Sequence, residues 1–131
     1  MAFPLDVRFV REAEAKLGRV LPTAYVAAMC QDNGGVVKVG RDRFQLYPIL
    51  DSSDRKRLAR TCNDIIRETM SARSWSGFPA DALAIGHNGA GDLLVLLPDP
   101  SGDRYSDKPS RWDHETGELH VITKTIDEHL R

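Results

Sequence analysis

IGHNGAGDLLVLLP, residues 85–98, holds the choice between two folds. Three glycines, Gly86, Gly89 and Gly91, crowd around His87 and Asn88, and Asp92 leads into five apolar residues that stop at Pro98. A glycine loop that opens a helix cradles a phosphate with free N–H groups and the helix dipole, and an enzyme becomes plausible. Five residues are too few for a useful helix, however. The bounding proline and the Asn88-Gly89 pair favour a hairpin turn followed by a buried strand. No Lys-Ser/Thr follows the glycines, which excludes a P-loop, and their spacing does not fit a dinucleotide fingerprint. Gly86, Asn88, Gly89, Gly91 and Asp92 therefore read as structural turn residues. Asp92 is expected to bond the backbone of its own turn.

Outward from this turn the pattern stays β. Strands are expected near Leu83–Gly86, Asp92–Leu97, Ser110–His114 and Glu118–Ile122, with no helix between them. Upstream, VVKVGRDRFQLYPIL (residues 36–50) reads as strand, tight turn at Gly40–Asp42, and strand again. Helices flank these hairpins. The first covers Asp6–Leu17 and ends at Gly18, and a second starts at Pro22 and closes at Asn33-Gly34-Gly35. A third spans about Asp54–Ser71 behind caps at Asp51–Ser53. Its apolar stripe is Leu58, Cys62, Ile65, Ile66 and Thr69, and its basic face is Lys56, Arg60 and Arg67. A short helix at Thr125–Leu130 ends the chain. A parallel sheet would need a helix between each pair of later strands. The expected class is α+β: a single domain over residues 1–131, a mostly antiparallel sheet of about six strands, and helices packed on it.

Composition narrows the function. The 131 residues suffice for one core without metals or crosslinks. Lys plus Arg number 18 against 19 Asp plus Glu, a net charge of -1, which argues against a nucleic-acid coat or a membrane-surface protein. The N-terminus carries charges where a signal core would be apolar, and the longest apolar run, Leu93–Leu97, is far short of the roughly 18 residues of a membrane span. The two cysteines, Cys30 and Cys62, each fall within a helical pattern and read as buried thiols. A cytoplasmic protein is expected.

Candidates for chemistry are few. His87, Asp92, Asp113 and His114 would converge as metal ligands or as a base with its orienter if the two hairpins paired, but HExxH and related spacings are missing. Asp99, Asp103 and Asp107 share one loop without the ligand order of an EF-hand. No nucleophile sits in an elbow motif. The reading is of no catalytic, cofactor or metal residues, with a small metal-dependent hydrolase using Asp92 and His87 or His114 as the rival.

Four segments in order resemble the SUKH superfamily, the Smi/Knr-type domain. EAKLGRVLPTAYVAAMCQDNGG (residues 14–35) is similar to the family's LG, LP, tyrosine and NGG pattern, and IGHNGAGDLLVL (residues 85–96) to its glycine-Asp strand turn. RWDHETGE (residues 111–118) and TKTIDEHL (residues 123–130) resemble its later strand and final helix. Ala28, Ile126 and His129 stand where aromatics are typical of the family. The resemblance implies a non-catalytic domain that binds protein partners. Many bacterial members look like immunity proteins that neutralise a polymorphic toxin, often a nuclease, while fungal relatives imply a regulatory interaction module. An acidic surface would suit the basic groove of a nuclease. Two regions offer it: Arg111, Trp112, Asp113, His114 and Glu115, and the nearby loop of Asp99, Asp103 and Asp107. Trp112 is either an exposed anchor there or part of the core.

Overall fold

The computed structural model describes residues 3–126. Helix α1 (Val7–Leu17) starts where the Asp6 side chain accepts from the Arg8 N–H and stops at Gly18, whose φ of 74° closes the last turn onto the Glu14 carbonyl. Helix α2 (Thr23–Gln31) follows Pro22. Strands β1 (Val36–Val39) and β2 (Asp42–Leu46) form the first hairpin. Helices α3 (Arg55–Arg60) and α4 (Ile65–Ala72) precede β3 (Leu83–His87), β4 (Leu93–Leu96), β5 (Ser110–Trp112) and β6 (Leu119–Val121). The fold is α+β. All six strands lie in one sheet in chain order, and every neighbouring pair is antiparallel.

The expected third helix is two helices. Asp64 begins afresh, its carboxylate accepting from the Ile66 N–H at 2.9 Å and the Arg67 N–H at 3.1 Å. Thr61 turns back to bond the Arg57 carbonyl and the Asp51 backbone, so the chain cannot run straight through. The cap of α3 is Asp54, which accepts from the Arg57 N–H, and Asp51 instead holds Ser53. The break moves the expected stripe: Ile65 and Thr69 are buried, but α3 buries nothing, Leu58 is 44% exposed, and Cys62 is exposed in the linker. Cys30 is half-buried, so only in part is the expectation of two buried thiols met. The final helix expected at Thr125–Leu130 lies, beyond Ile126, outside the described residues.

The centre of the sheet carries the core. Strands β3 and β4 are buried along nearly their whole length, as a strand needs when both faces are covered. Helix α4 docks on β3 through the Thr69 hydroxyl, which accepts from the Ala84 N–H beside a bulge in the β3–β4 ladder. Asn33, itself buried, clamps the far loop by two hydrogen bonds to the Ile49 backbone. Ala28 and Ile126, where the family resemblance expected aromatics, are both core residues. No helix among the described residues is long and apolar enough to cross a membrane.

Candidate functional site

The glycine turn is a hairpin between β3 and β4, and each glycine has its own reason. A side chain at Gly86 would lie 2.8 Å from the Gln45 carbonyl, where β2 passes close. Gly89 and Gly91 hold φ of 81° and 106°, the left-handed region. At Gly91 a Cβ would also lie 2.9 Å from the ring of His114, which packs flat over the turn. The turn's own backbone is bonded by Asn88, whose side chain accepts from the Ala90 and Asp92 N–H groups.

That frees Asp92 for something else, and the expectation that it bonds its own turn is corrected. Its Oδ2 accepts from Arg111 Nη2 at 2.6 Å and Nε at 3.1 Å. Its Oδ1 accepts from the His114 N–H at 3.2 Å and lies 2.6 Å from His114 Nδ1. The register that sets Leu93 opposite Trp112 brings these groups together across nineteen residues of chain. Arg111 in turn reaches Asp42 Oδ2 at 2.5 Å, so one guanidinium ties β2, β4 and β5 together. Burial works against the Asp92 charge, but the hydrogen bonds from His114 and Arg111 outweigh it and hold the carboxyl at about 2. The hydrogen bond to Asp92 raises the His114 imidazole above its usual 6.5, against a smaller opposing effect of burial, and the charges of Asp92, Glu115 and Asp113 add to it.

Asp92, Asp113 and His114 offer donor atoms within 4.8 Å of one another. The donor set fits a metal poorly. Both Asp92 oxygens already accept from Arg111 or His114, and a cation would sit against a guanidinium. His114 does have the form of an oriented base, its Nδ1 held and its Nε2 turned outward, yet what faces Nε2 is Glu115 at 3.9 Å. A carboxylate there is no nucleophile awaiting activation. The arrangement clamps three strands and leaves His114, Asp113 and Glu115 on the rim.

The remaining expected residues scatter. His87 is not in the cluster: it stacks on Tyr47 at 5.4 Å between ring centroids. Trp112 is 1% exposed, its Nε1 donating to the Gly77 carbonyl and its ring flanked by Trp75 and Phe78, so it is core and no anchor for a partner. The loop of Asp99, Asp103 and Asp107 follows β4, while Asp113 and Glu115 follow β5, so the antiparallel register places them at opposite ends of that strand pair. Asp99 holds Ser101, the Asp103 carbonyl receives the Val20 N–H, and Asp107 lines a depression beside α2. They are not neighbours of the rim.

A second concavity escaped the sequence reading. A half-open cleft of about 550 Å³ lies between α3, the 33–36 turn and the ends of β2 and β3. Arg57, Arg60 and Asn63 line it together with Phe3, Tyr47 and His87. The basic character of α3 was the available signal. Lys56, Arg60 and Arg67 did not read as a cleft wall because the partner surfaces come from four distant segments. Arg67, moreover, belongs to α4 and lines a different, smaller groove beside Phe9.

The SMI1 / KNR4 family (SUKH-1) matches residues 4–131, nearly the whole chain, by its family model. No curated protein matches the chain, and no solved structure does.

Proposed function

From the membership of this chain in the SMI1 / KNR4 family (SUKH-1), to which it belongs, we propose that it is a non-catalytic protein-binding domain that works as an immunity protein. It neutralises a cognate toxin by occupying the toxin's functional surface. Family membership over residues 4–131 carries this reading. The donor geometry around Asp92 supports it, since those groups are committed to Arg111 and His114 and thus to holding strands together.

The partner surface we assign is the rim after β5. Asp113 and Glu115 are carboxylates on a turn braced from beneath: Asp113 caps the Glu115 N–H, its carbonyl accepts from the Gly117 N–H, and Asp92 holds Arg111 and His114. A rigid acidic rim suits a toxin with a basic groove, such as a nuclease, because charge complementarity speeds encounter and fixes orientation. Trp112 stands behind the rim as packing. The loop of Asp99, Asp103 and Asp107 is a separate acidic site on this proposal, available to an extended partner only.

Co-expression with the product of the neighbouring open reading frame tests the reading. Stoichiometric inhibition of the toxin is the expected result, and Asp113→Lys with Glu115→Lys should weaken it about tenfold or more, with Arg67→Glu as the neutral control. Inhibition untouched by the double reversal would move the surface elsewhere. No complex at all would return the chain to a regulatory module.

A further inference from the structure

The last strand of the sheet holds open backbone groups. The Glu118 carbonyl and the Ile122 N–H bond the β5 side, so by alternation the N–H and C=O of Leu119 and Val121 point away from the sheet. No strand among the described residues takes them, and β6 itself, Leu119-His120-Val121, has neither lysine nor proline to guard it.

An apolar surface lies beside this edge. Leu119 stands opposite Trp112 and Val121 opposite Ser110, so both side chains lie on the face where Trp75 stacks on Trp112 at 6.0 Å between ring centroids. Leu119 and Trp112 exchange no backbone bonds, which is the closer kind of antiparallel pair and sets the leucine against the indole. The loop after α4 is held alongside the β5–β6 turn. There Trp112 Nε1 donates to the Gly77 carbonyl at 3.2 Å, and a Cβ on Gly77 would come 3.6 Å from Gly117 Cα. Trp75, in the same loop, is nevertheless 44% exposed, and Leu119 and Val121 are exposed with it. A lone exposed apolar residue is ordinary. Three on one face beside open backbone groups are what strand addition uses: main-chain bonds give affinity, and alternate side chains give selectivity.

The charges at the two ends of β6 differ. Asp113, Glu115 and Glu118 stand where the strand begins. Lys124 follows its end, and Lys108 is brought there by the bond from the Ile122 N–H to the Pro109 carbonyl. Glu115 and Glu118 have imidazoles as neighbours, at 3.9 and 3.6 Å, and both carboxylates stay open to solvent, so a cation on a partner reaches them.

We propose that β6 takes an extended segment of the protein partner as a further, antiparallel strand, with apolar side chains over Leu119, Val121 and Trp75 and a lysine or arginine at its C-terminal end beside Glu115 and Glu118. The proposal rests on the reading of the chain as a protein-binding domain. It continues the acidic rim, since the 113–118 turn leads directly into β6.

The test is an NMR titration of the whole protein with an acetylated, amidated Glu-Thr-Val-Thr-Val-Thr-Lys peptide, read by amide hydrogen exchange and at the Trp75 indole N–H. In the free chain the outward Leu119 and Val121 amides should exchange fast and the inward Ile122 amide slowly. The peptide should slow Leu119 and Val121 saturably and shift the Trp75 signal. A control peptide methylated on both valine nitrogens should not bind, and one with its terminal Glu and Lys swapped should bind more weakly. Val121→Lys should weaken the parent peptide about three- to fivefold, the loss of one cross-strand contact, while Val36→Lys on the opposite edge leaves it unchanged. Equal binding of the parent and methylated peptides overturns the proposal, as do changes confined to other residues. Protection of Leu119 and Val121 that appears without peptide and grows with protein concentration also overturns it, because the occupant is then a second copy. The titration needs no toxin, so its failure is told apart from failure of the immunity reading, which is measured by inhibition through Asp113 and Glu115.

Discussion

Gly91 carries two constraints where Gly89 carries one. Both have positive φ, but only Gly91 lies under a ring, while a Cβ at Gly89 would meet nothing within 4 Å. Gly89→Ala should cost about 1 kcal/mol, the backbone strain alone. Gly91→Ala should cost more, about 1–3 kcal/mol, and should also displace His114. Thermal melts of the two variants measure the difference, and equal losses would remove the ring contact from the account. The same imidazole makes a pH prediction. Its folded pKa is raised above 6.5, so the stability it contributes is complete below the unfolded value and is lost as pH rises through the folded one. Asp92 runs the other way: with its carboxyl at about 2, its contribution holds above the unfolded value near 3.9 and is lost as pH falls toward 2. Titration of His114 by NMR should therefore give a value above 6.5 that drops in Asp92→Asn. The melting difference between the native chain and His114→Ala should shrink with rising pH through that value. A His114 titration unmoved by Asp92→Asn would break the link between them.

Asp64 decides an element that periodicity alone misreads. Residues 54–71 keep a helical spacing of apolar positions, and nothing in that spacing marks the stop at Thr61. The stop comes from short polar side chains that bond the backbone, with Asp64 accepting two N–H groups and Thr61 bonding Arg57 and Asp51. The hairpins and α1 were legible for the opposite reason. Their signals are local: Asp6 and Gly18 at the two ends of α1, Gly40 between β1 and β2, and the glycine turn between β3 and β4. Asp64→Ala should cost about 1–2 kcal/mol, because α4 buries Ile65, Thr69 and Ala72. Asp54→Ala should cost much less, because α3 buries no residue and can fray without disturbing the core. Urea unfolding of both variants measures the two costs, and amide exchange should run faster through α3 than through α4. A larger loss from Asp54→Ala would reverse this ranking.

At the scale of the molecule, what stayed hidden is what the register assembles. Asp92 finds Arg111 and His114 only once β4 and β5 are paired, and Phe3 meets α3 only after the chain has folded back on itself. Local spacing carries no trace of either, whereas the antiparallel order follows from short loops between successive strands. The same order leaves the sheet two edges, and they differ. β1 has Lys38 exposed in mid-strand, a charge that discourages pairing with another chain. β6 has Leu119, His120 and Val121, all exposed, with Val121 at 67%. The Glu118 carbonyl and the Ile122 N–H face β5, so by alternation the backbone groups of Leu119 and Val121 face outward. No strand among the described residues pairs with them. Such an edge recruits another copy once heating loosens the fold. Val121→Lys should place on β6 the guard that β1 already has. Stability should stay within about 0.5 kcal/mol of the native chain, since the side chain is exposed and its contacts are few. Light scattering during a slow thermal ramp should rise later and less steeply in the variant than in the native chain, while Val36→Lys on the guarded edge changes little. Identical scattering curves for native and Val121→Lys chains would mean that association on heating begins somewhere other than this edge.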